Sequence, residues 1–283
     1  MHIVVCIKQV PDSAQIRVHP VTNTIMRQGV PTIINPYDLF ALEAALRLRD
    51  KHGGKVTVLT MGPPMAEDAL RRALTFGADR AVLLTDRAFA GSDTLATSFS
   101  LSEAVKKIGE TYGPVDIVFT GKQTIDGDTA QVGPGIARRL GLNQLTYVSG
   151  IREVNIEEGS IIAERRAEGG VQVLSTKLPC LITMLEGTNE IRRGSIDLAL
   201  RAARAEIVTW NAAAAGITET AKCGLKGSPT VVKRVFAPQP RAEKAKIVDI
   251  SGLAPDAMAA KALDEVFGKL PTLENELVEM AQG

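Results

Sequence analysis

The residues best suited to chemistry fall in four short segments rich in glycine, hydroxyl and carboxylate groups. The richest is GKQTIDGDTAQVGP (121–134). Gly121 and Gly127 permit close approach to the backbone, and Asp128 or Thr129 is placed to cap a following helix. A helix N-terminus, with free amides and the positive end of its dipole, suits a phosphate. The segment therefore reads as a nucleotide cradle, with an ordinary capped turn as the alternative. AGSDTLATS (90–98) repeats the logic with hydroxyls at Ser92, Thr94, Thr97 and Ser98, where plain capping is an equal reading. The other two segments are KQVPD (8–12) and INPYD (34–38).

Other chemistries are excluded by what is missing. No GxxxxGK[ST] loop occurs, and no GxGxxG follows the first strand-like run. The three histidines, His2, His19 and His52, fall in a buried strand, a hairpin turn and a helix end, which leaves no plausible nucleophile–histidine set. Cys6, Cys180 and Cys223 are far apart, so neither a metal site nor a disulfide framework is expected, and a reducing cytoplasmic compartment fits. Cys6 itself lies in an apolar run and reads as buried and inert. Asp126 and Asp128 are a carboxylate pair, but acids in a turn usually cap or face solvent. Lys and Arg total 33 against 32 Asp and Glu, and aromatics are 4%. That balance argues against nucleic acid or an anionic membrane as partner. No apolar run is long enough to span a bilayer. The loops suggest binding a nucleotide without hydrolysing it.

These loops need a scaffold, and the first 140 residues supply one by alternating two periodicities. Apolar β-branched runs at 3–10, 56–61, 81–85 and 115–120 read as strands. Stretches 36–52, 65–77, 93–112 and 128–140 read as helices, Leu39, Leu42 and Leu46 recurring at helical spacing in the first. Such alternation predicts an α/β fold, a doubly wound, mostly parallel sheet with right-handed crossovers. Ligands then sit outside the carboxyl ends of the strands, where all four loops fall. Residues 14–18 and 24–27 read as a small hairpin; 150–154, 161–166 and 171–174 as an antiparallel patch; 180–185 as a further strand. Beyond 186 the pattern becomes polar, then helical and basic. Residues 226–246 hold six Lys/Arg and one Glu243, and a last helix is expected at about 255–267. The expected division is a nucleotide-binding domain at 1–190 and, at 191–283, a loop, helix and extended C-terminal arm that packs on another chain.

At these loops the chain strongly resembles the beta subunit of electron-transfer flavoprotein. The match runs through IVVCIKQVPD (3–12), NPYDLFALEAAL (35–46), TMGPP (60–64) and GKQTIDGDTAQVGP (121–134). Its most specific stretch is AERRAEGGVQVLSTKLPCLIT (163–183), with Arg165, Glu168, Gly169, Gly170, Gln172, Pro179 and Thr183 spaced like the family signature. The resemblance implies an adenine-nucleotide α-hydrolase-like fold in a heterodimer with an alpha subunit that carries a mobile FAD. It places nucleotide contacts on Cys6, Asn35, Tyr37, Asp38, Met61, Gly121, Gln123, Asp126, Gly127, Asp128, Thr129, Gln131 and Val132. The stretch 86–98 looks like the flavin-binding segment of the electron-bifurcating branch, with Asp93, Thr94 and Thr97 as hydrogen-bonding positions.

That branch implies FAD rather than AMP in the beta subunit. It further implies that hydride from NADH is accepted there. One electron would go to ferredoxin or flavodoxin and the other to the alpha-subunit FAD, which serves an acyl-CoA dehydrogenase. The AMP-binding, non-bifurcating subunit is the alternative. Thr188, Asn189, Glu190, Ile191, Arg192 and Arg193 look like the family's partner-docking loop, although its anchoring leucine falls at about Thr188, which is not apolar. The 226–246 stretch reads as an arm wrapping the alpha subunit. A stand-alone sensor resembling universal stress proteins would need neither the 163–183 signature nor the arm. An ATP pyrophosphatase would carry its SGGxDS-like loop where Lys8-Gln9-Val10-Pro11 stands.

Overall fold

In β1 (His2–Cys6) the side chains alternate, Ile3 and Val5 facing one packed layer and Val4 and Cys6 the other. Burial on both sides is what a near-continuous apolar run predicts for the centre of a parallel sheet. The computed structural model describes residues 1–12, 17–18, 25–26, 31–232, 247–270, 272–273, 277 and 280. Two compact units result, Met1–Phe236 and Ala237–Gly283.

The remaining strands are β2 (Gln9–Pro11), β3 (Arg17–Val18), β4 (Ile25–Met26), β5 (Thr32–Ile34), β6 (Lys55–Met61), β7 (Arg80–Leu84) and β8 (Ile117–Gly121). They continue with β9 (Asn143–Asn155), β10 (Ser160–Ala167), β11 (Gly170–Lys177), β12 (Cys180–Met184) and β13 (Val208–Trp210). The helices are α1 (Pro36–His52), α2 (Glu67–Thr75), α3 (Thr94–Tyr112), α4 (Val132–Leu140), α5 (Ile196–Arg204) and, in the second unit, α6 (Pro255–Phe267). One sheet runs β11-β10-β9-β12-β8-β1-β6-β7-β13. All its neighbours pair in parallel except β9 with β10 and β10 with β11. From β1 the chain winds outward through β6 and β7, then returns to place β8 on the other side of β1. The order therefore reverses between β1 and β8, and the crevice at their carboxyl ends is the switch point.

Packing follows the two faces. Leu42, Leu46, Leu70 and Leu74 from α1 and α2 meet Ile3, Val5 and Phe119 on one side. Val105, Ile108 and Ile136 from α3 and α4 meet Val4, Leu59, Val118 and Trp210 on the other. The α/β fold class read from the sequence is observed.

Several boundaries differ, for local reasons. The run 3–10 is not one strand: the Lys8 amide turns to Asp38 Oδ2 at 2.8 Å, and β2 then leaves the sheet to pair with β5. The helix expected from 65 begins as a 3-10 turn at Pro64–Ala66. The helix expected from 128 starts at Val132, because Asp128 and Ala130 both have φ of 55°. The antiparallel patch is observed in β9, β10 and β11, and it continues the main sheet. β9 begins 143–145 in parallel register with β12, then bends past Tyr147 (φ 57°) to pair antiparallel with β10. Of the hairpin at 14–27, the rungs Arg17↔Met26 and Val18↔Ile25 are described. Its turn, including His19, lies outside the described residues, as does most of the basic stretch 226–246. Among the described residues no helix is long and apolar enough to cross a membrane, and no cluster could hold a metal ion.

Candidate functional site

The ladder between β1 and β8 stops at Val5↔Phe119, and the residues beyond it shape the crevice. Asp38, in the first turn of α1, bridges the gap. Its Oδ2 accepts from Lys8 N at 2.8 Å and its Oδ1 from Gly121 N at 3.1 Å. The carboxyl is buried, and burial pushes its pKa up to about 7 against the opposing pull of hydrogen bonds from Asn35, Lys8 and Gly121. Asn35 precedes α1 but does not cap it. Its Nδ2 donates to Gln123 O at 2.8 Å and its Oδ1 accepts from Ile125 N at 3.1 Å, so it holds the 121–131 loop instead. Pro36 at the first helical position makes the missing cap cheap. Lys8 Nζ clasps both oxygens of Asp126, at 2.8 and 2.7 Å.

The loop itself is held open. Asp128 N bonds Thr124 O at 2.8 Å, and Gln123 Nε2 bonds Asp128 Oδ1. Left-handed backbone at a non-glycine residue costs about 1–3 kcal/mol and concentrates at ligand-binding sites, and this loop has two such residues. Asp128 and Thr129 therefore do not cap α4, contrary to expectation. Gln131 is the N-cap residue and makes no side-chain cap, so the first amides of α4 point outward without one. Asp126, Gly127, Asp128, Thr129 and Gln131 are exposed and Val132 half-buried; a Cβ on Gly127 would meet only Thr124 Oγ1, at 3.3 Å.

Across from this loop stands the start of α3. Asp93 is its N-cap, Oδ1 accepting from Leu95 N at 2.9 Å and Ala96 N at 3.0 Å. Oδ2 accepts from Thr230 N at 3.1 Å and Thr230 Oγ1 at 2.8 Å, while Asp93 N donates to Ser228 Oγ at 2.8 Å. Burial would raise this carboxyl, but those donors outweigh it and hold it below the usual range. Thr94 Oγ1 donates to Gln131 Oε1 at 2.7 Å, which joins the two helix starts. Thr97 lies half-buried one turn on. Sequence reading missed Ser228 and Thr230, whose segment carries no periodic pattern.

A family model described as electron transfer flavoprotein domain matches residues 22–215. The chain belongs to the electron-transfer flavoprotein family. It is 74% identical to Protein FixA of Azorhizobium caulinodans over all of both chains. It is 65% identical to Protein FixA of Azotobacter vinelandii, over 99% of this chain and all of that one. It is also 49% identical to the electron transfer flavoprotein subunit beta of Clostridium acetobutylicum, over 83% of this chain and 87% of that one.

For this member of the electron-transfer flavoprotein family, hydrogen bonds tie Asn35, Asp38, Gly121, Gln123, Asp126 and Asp128 into one group at the start of α1 and the 121–128 loop, and Thr94 to Gln131 in a second; the backbone of 128–131 joins the two, and Asp93 caps the helix that Thr94 begins. Cys6 and Met61 lie beneath these groups in the α3–α4 packing layer. Burial, and then the charge of Asp38, pushes the Cys6 thiol up to about 12, so it stays neutral. Tyr37 is half-buried, with Lys122 Nζ 4.8 Å from its ring centroid. His2 is buried against Thr57 and Gly113 and has no part in the site. In the segment 188–193, Thr188 Oγ1 donates to Leu185 O at 3.1 Å and Asn189 Nδ2 to Phe40 O at 3.0 Å. Glu190 and Arg193 are exposed, Ile191 and Arg192 half-buried. Exposed apolar side chains come just after, at Ile196 and Leu200 in α5.

Proposed function

We propose that this chain is the beta subunit of a heterodimeric electron-transfer flavoprotein, that it binds FAD, and that the heterodimer oxidises NADH and divides the electrons. One electron goes to a low-potential carrier, ferredoxin or flavodoxin, and the other to the alpha-subunit FAD, which serves an acyl-CoA dehydrogenase. The observation that carries the reading is that the backbone of 128–131 joins the two hydrogen-bonded groups. Donors and acceptors run from Lys8 and Asn35, through the open 121–131 loop, across the Gln131–Thr94 bond to the hydroxyl-bearing first turn of α3.

The residues present fit such a cofactor. The 121–132 backbone and the uncapped start of α4 suit a phosphate, and Thr94, Thr97 and Gln131 suit a polyhydroxyl chain. When bound, the flavin supplies the hydride and one-electron chemistry, while the protein supplies binding, orientation and electrostatics. Asn35 fixes the loop, and Asp93, tied to Thr230, fixes the start of α3. Packing on the alpha subunit is assigned to the C-terminal unit, where α6 leaves Leu263 and Val266 exposed.

One observation favours the AMP-binding alternative. Asp93 already occupies the first amides of α3, so of the two helix starts joined by the Gln131–Thr94 bond only that of α4 is without a side-chain cap, enough for one phosphate. The deciding experiment is to purify the chain with its alpha subunit, denature the complex and count released cofactors. Two FAD and no AMP per heterodimer support the proposal. One FAD with one AMP overturns the bifurcating reading and leaves a one-electron carrier.

A further inference from the structure

Asp38 stands where a rung of the sheet is missing. β1 and β8 pair as neighbours up to Val5↔Phe119, and the crevice opens beyond that pair. Two residues past Phe119 and three past Val5, the amides of Gly121 and Lys8 no longer face a strand. Both donate to the one carboxylate of Asp38, at 3.1 and 2.8 Å. Gly121 is shaped for this. A Cβ there would lie 2.5 Å from Asp38 Oδ1 and 2.6 Å from Tyr37 Cβ, so only glycine brings its amide to that oxygen. Asn35, just before the same turn of α1, holds the next part of the loop, and the same exit from β1 holds Asp126 through Lys8. The side chain is 4% exposed, so it is turned inward from the crevice.

We propose that Asp38 is a positioning residue: as a carboxylate it replaces the missing rung, fixes the separation of the β1 and β8 exits, and so sets the shape of the nucleotide crevice without touching the nucleotide. The inference rests on the crevice being the cofactor site. A neutral acid cannot do the same work, because its protonated oxygen is a poor acceptor for the amide it faces. An asparagine turns an N–H toward an N–H. Burial, against hydrogen bonds and without a dedicated cation, pushes this carboxyl up to about 7, so its charge changes within the pH range of the test. The titratable groups around it are Cys6 and Lys8 from β1 and its exit, Tyr37 from α1, Lys122 after β8, and Asp126 beyond. Cys6 is pushed up to about 12 and Asp126 is held below the usual range by Lys8, so neither changes charge between pH 6 and 8.

The test uses the heterodimer freed of beta-subunit nucleotide, with FAD as the probe because its diphosphate does not titrate in this range. FAD affinity is measured by equilibrium dialysis from pH 6 to 8 for wild type, Asp38→Asn and Gly121→Ala, with amide exchange at Lys8 and Gly121 as a second readout. The expected result is weaker wild-type binding as pH falls. Asp38→Asn should lose about 10- to 100-fold at pH 8, with a flat profile and faster exchange at both amides. Gly121→Ala, which keeps the carboxylate and its Lys8 bond but displaces the Gly121 amide, should lose affinity at pH 8 and show a shallower slope than wild type. A wild-type profile that is flat, or an Asp38→Asn complex that binds FAD as tightly as wild type at pH 8, overturns the proposal. If Asp38→Asn does not assemble, the wild-type pH profile and Gly121→Ala decide in the same way. Wild type that binds no FAD at any pH refutes the cofactor reading instead, and amide exchange alone then decides the structural role of Asp38.

Discussion

The Arg192 guanidinium turns back onto Glu43, with Nε 2.8 Å from Oε2 and Nη2 3.2 Å from Oε1. Glu43 is a buried carboxylate on α1, and Arg192 belongs to the loop that the family resemblance assigns to partner docking. The loop is fastened at further points on the same helix. Arg192 Nη1 reaches Asp50 at 2.8 Å, Arg47 Nη2 reaches Glu190 O at 2.8 Å, and Asn189 Nδ2 reaches Phe40 O at 3.0 Å. Arg192 is thus directed inward rather than offered to another protein. Since Asn35 precedes α1 and Asp38 lies in its first turn, one 17-residue helix has the crevice at one end and this loop along its length.

Removing the guanidinium should loosen the loop without unfolding the domain. Arg192→Ala leaves a buried carboxylate with Arg47 as its remaining cation, for an expected loss of about 2–3 kcal/mol in urea unfolding. Burial would raise the Glu43 pKa, but the bonds from Arg192 and Arg47 outweigh it and hold it below its ordinary 4.5. A carboxyl lowered in the folded state stabilises fully above the unfolded value and loses that contribution as pH falls through the folded one. The gap between wild type and Arg192→Ala should therefore be widest near pH 7 and start to narrow as pH falls below the ordinary 4.5. An equal gap at pH 7 and pH 3 would mean that packing, not the ion pair, holds the loop.

How much of this was legible depended on sequence distance. Pro36 and Gly53 bracket α1, and its boundaries were read correctly because both signals are local. Asp93 was legible as a helix start for the same reason, but its second oxygen is held by Thr230, 137 residues away. The break after Cys6 was not legible, since it is made where the Lys8 amide turns to Asp38, 30 residues beyond Lys8. The DGDT run at 126–129 imitates a helix cap, yet Asp128 is left-handed and bonded by Gln123, so α4 starts later. Local patterns specify elements; the crevice is specified by pairs that no window contains.

Asp38 also has a thermodynamic signature in the subunit free of nucleotide. Its folded pKa, about 7, lies above its unfolded value, so the folded state binds the extra proton between about pH 4 and 7. Wild-type stability relative to Asp38→Asn should then decline as pH rises from 4 to 7 and level off above that. Urea midpoints across this range measure it directly. A difference independent of pH would show that the carboxyl is not desolvated in the folded protein. Stability and crevice shape thus pull in opposite directions at this residue, as is common where a site is built from a buried charge.

Gly133 tests how closely α4 must sit. A Cβ there would lie 2.8 Å from Thr120 Oγ1 and 2.9 Å from Thr183 Cγ2, side chains of β8 and β12. Gly133→Ala should push the start of α4 off the sheet at a cost of about 1–3 kcal/mol. Because that helix start faces the crevice, nucleotide affinity should fall as well. Gly141→Ala, at the other end of α4 and with open space around its Cβ, carries a backbone penalty instead, from its φ of 68°. It should lower stability by about 1 kcal/mol and leave affinity nearly unchanged. Equal effects of both variants on affinity would place the phosphate elsewhere.

The docking anchor is expected on α5 rather than at Thr188. Thr188 is half-buried with its hydroxyl on Leu185 O, whereas Ile196 is 80% and Leu200 51% exposed. These two stand four residues apart, on one face of a helix whose opposite side buries Ala202 and ties Arg201 to Ala78 O at 3.0 Å. Two large aliphatics left in water on a well-anchored helix are suited to a partner's apolar pocket, here the acyl-CoA dehydrogenase of the proposed function. Ile196→Ala should raise the KM for that dehydrogenase about 10-fold with kcat, cofactor content and unfolding midpoint little changed. Thr188→Ala should leave the KM within about twofold, since surface substitutions outside such anchors cost little. The reverse pattern, a KM that moves with Thr188 and not with Ile196, would return the anchor to the loop and make the Arg192–Glu43 pair the element that presents it.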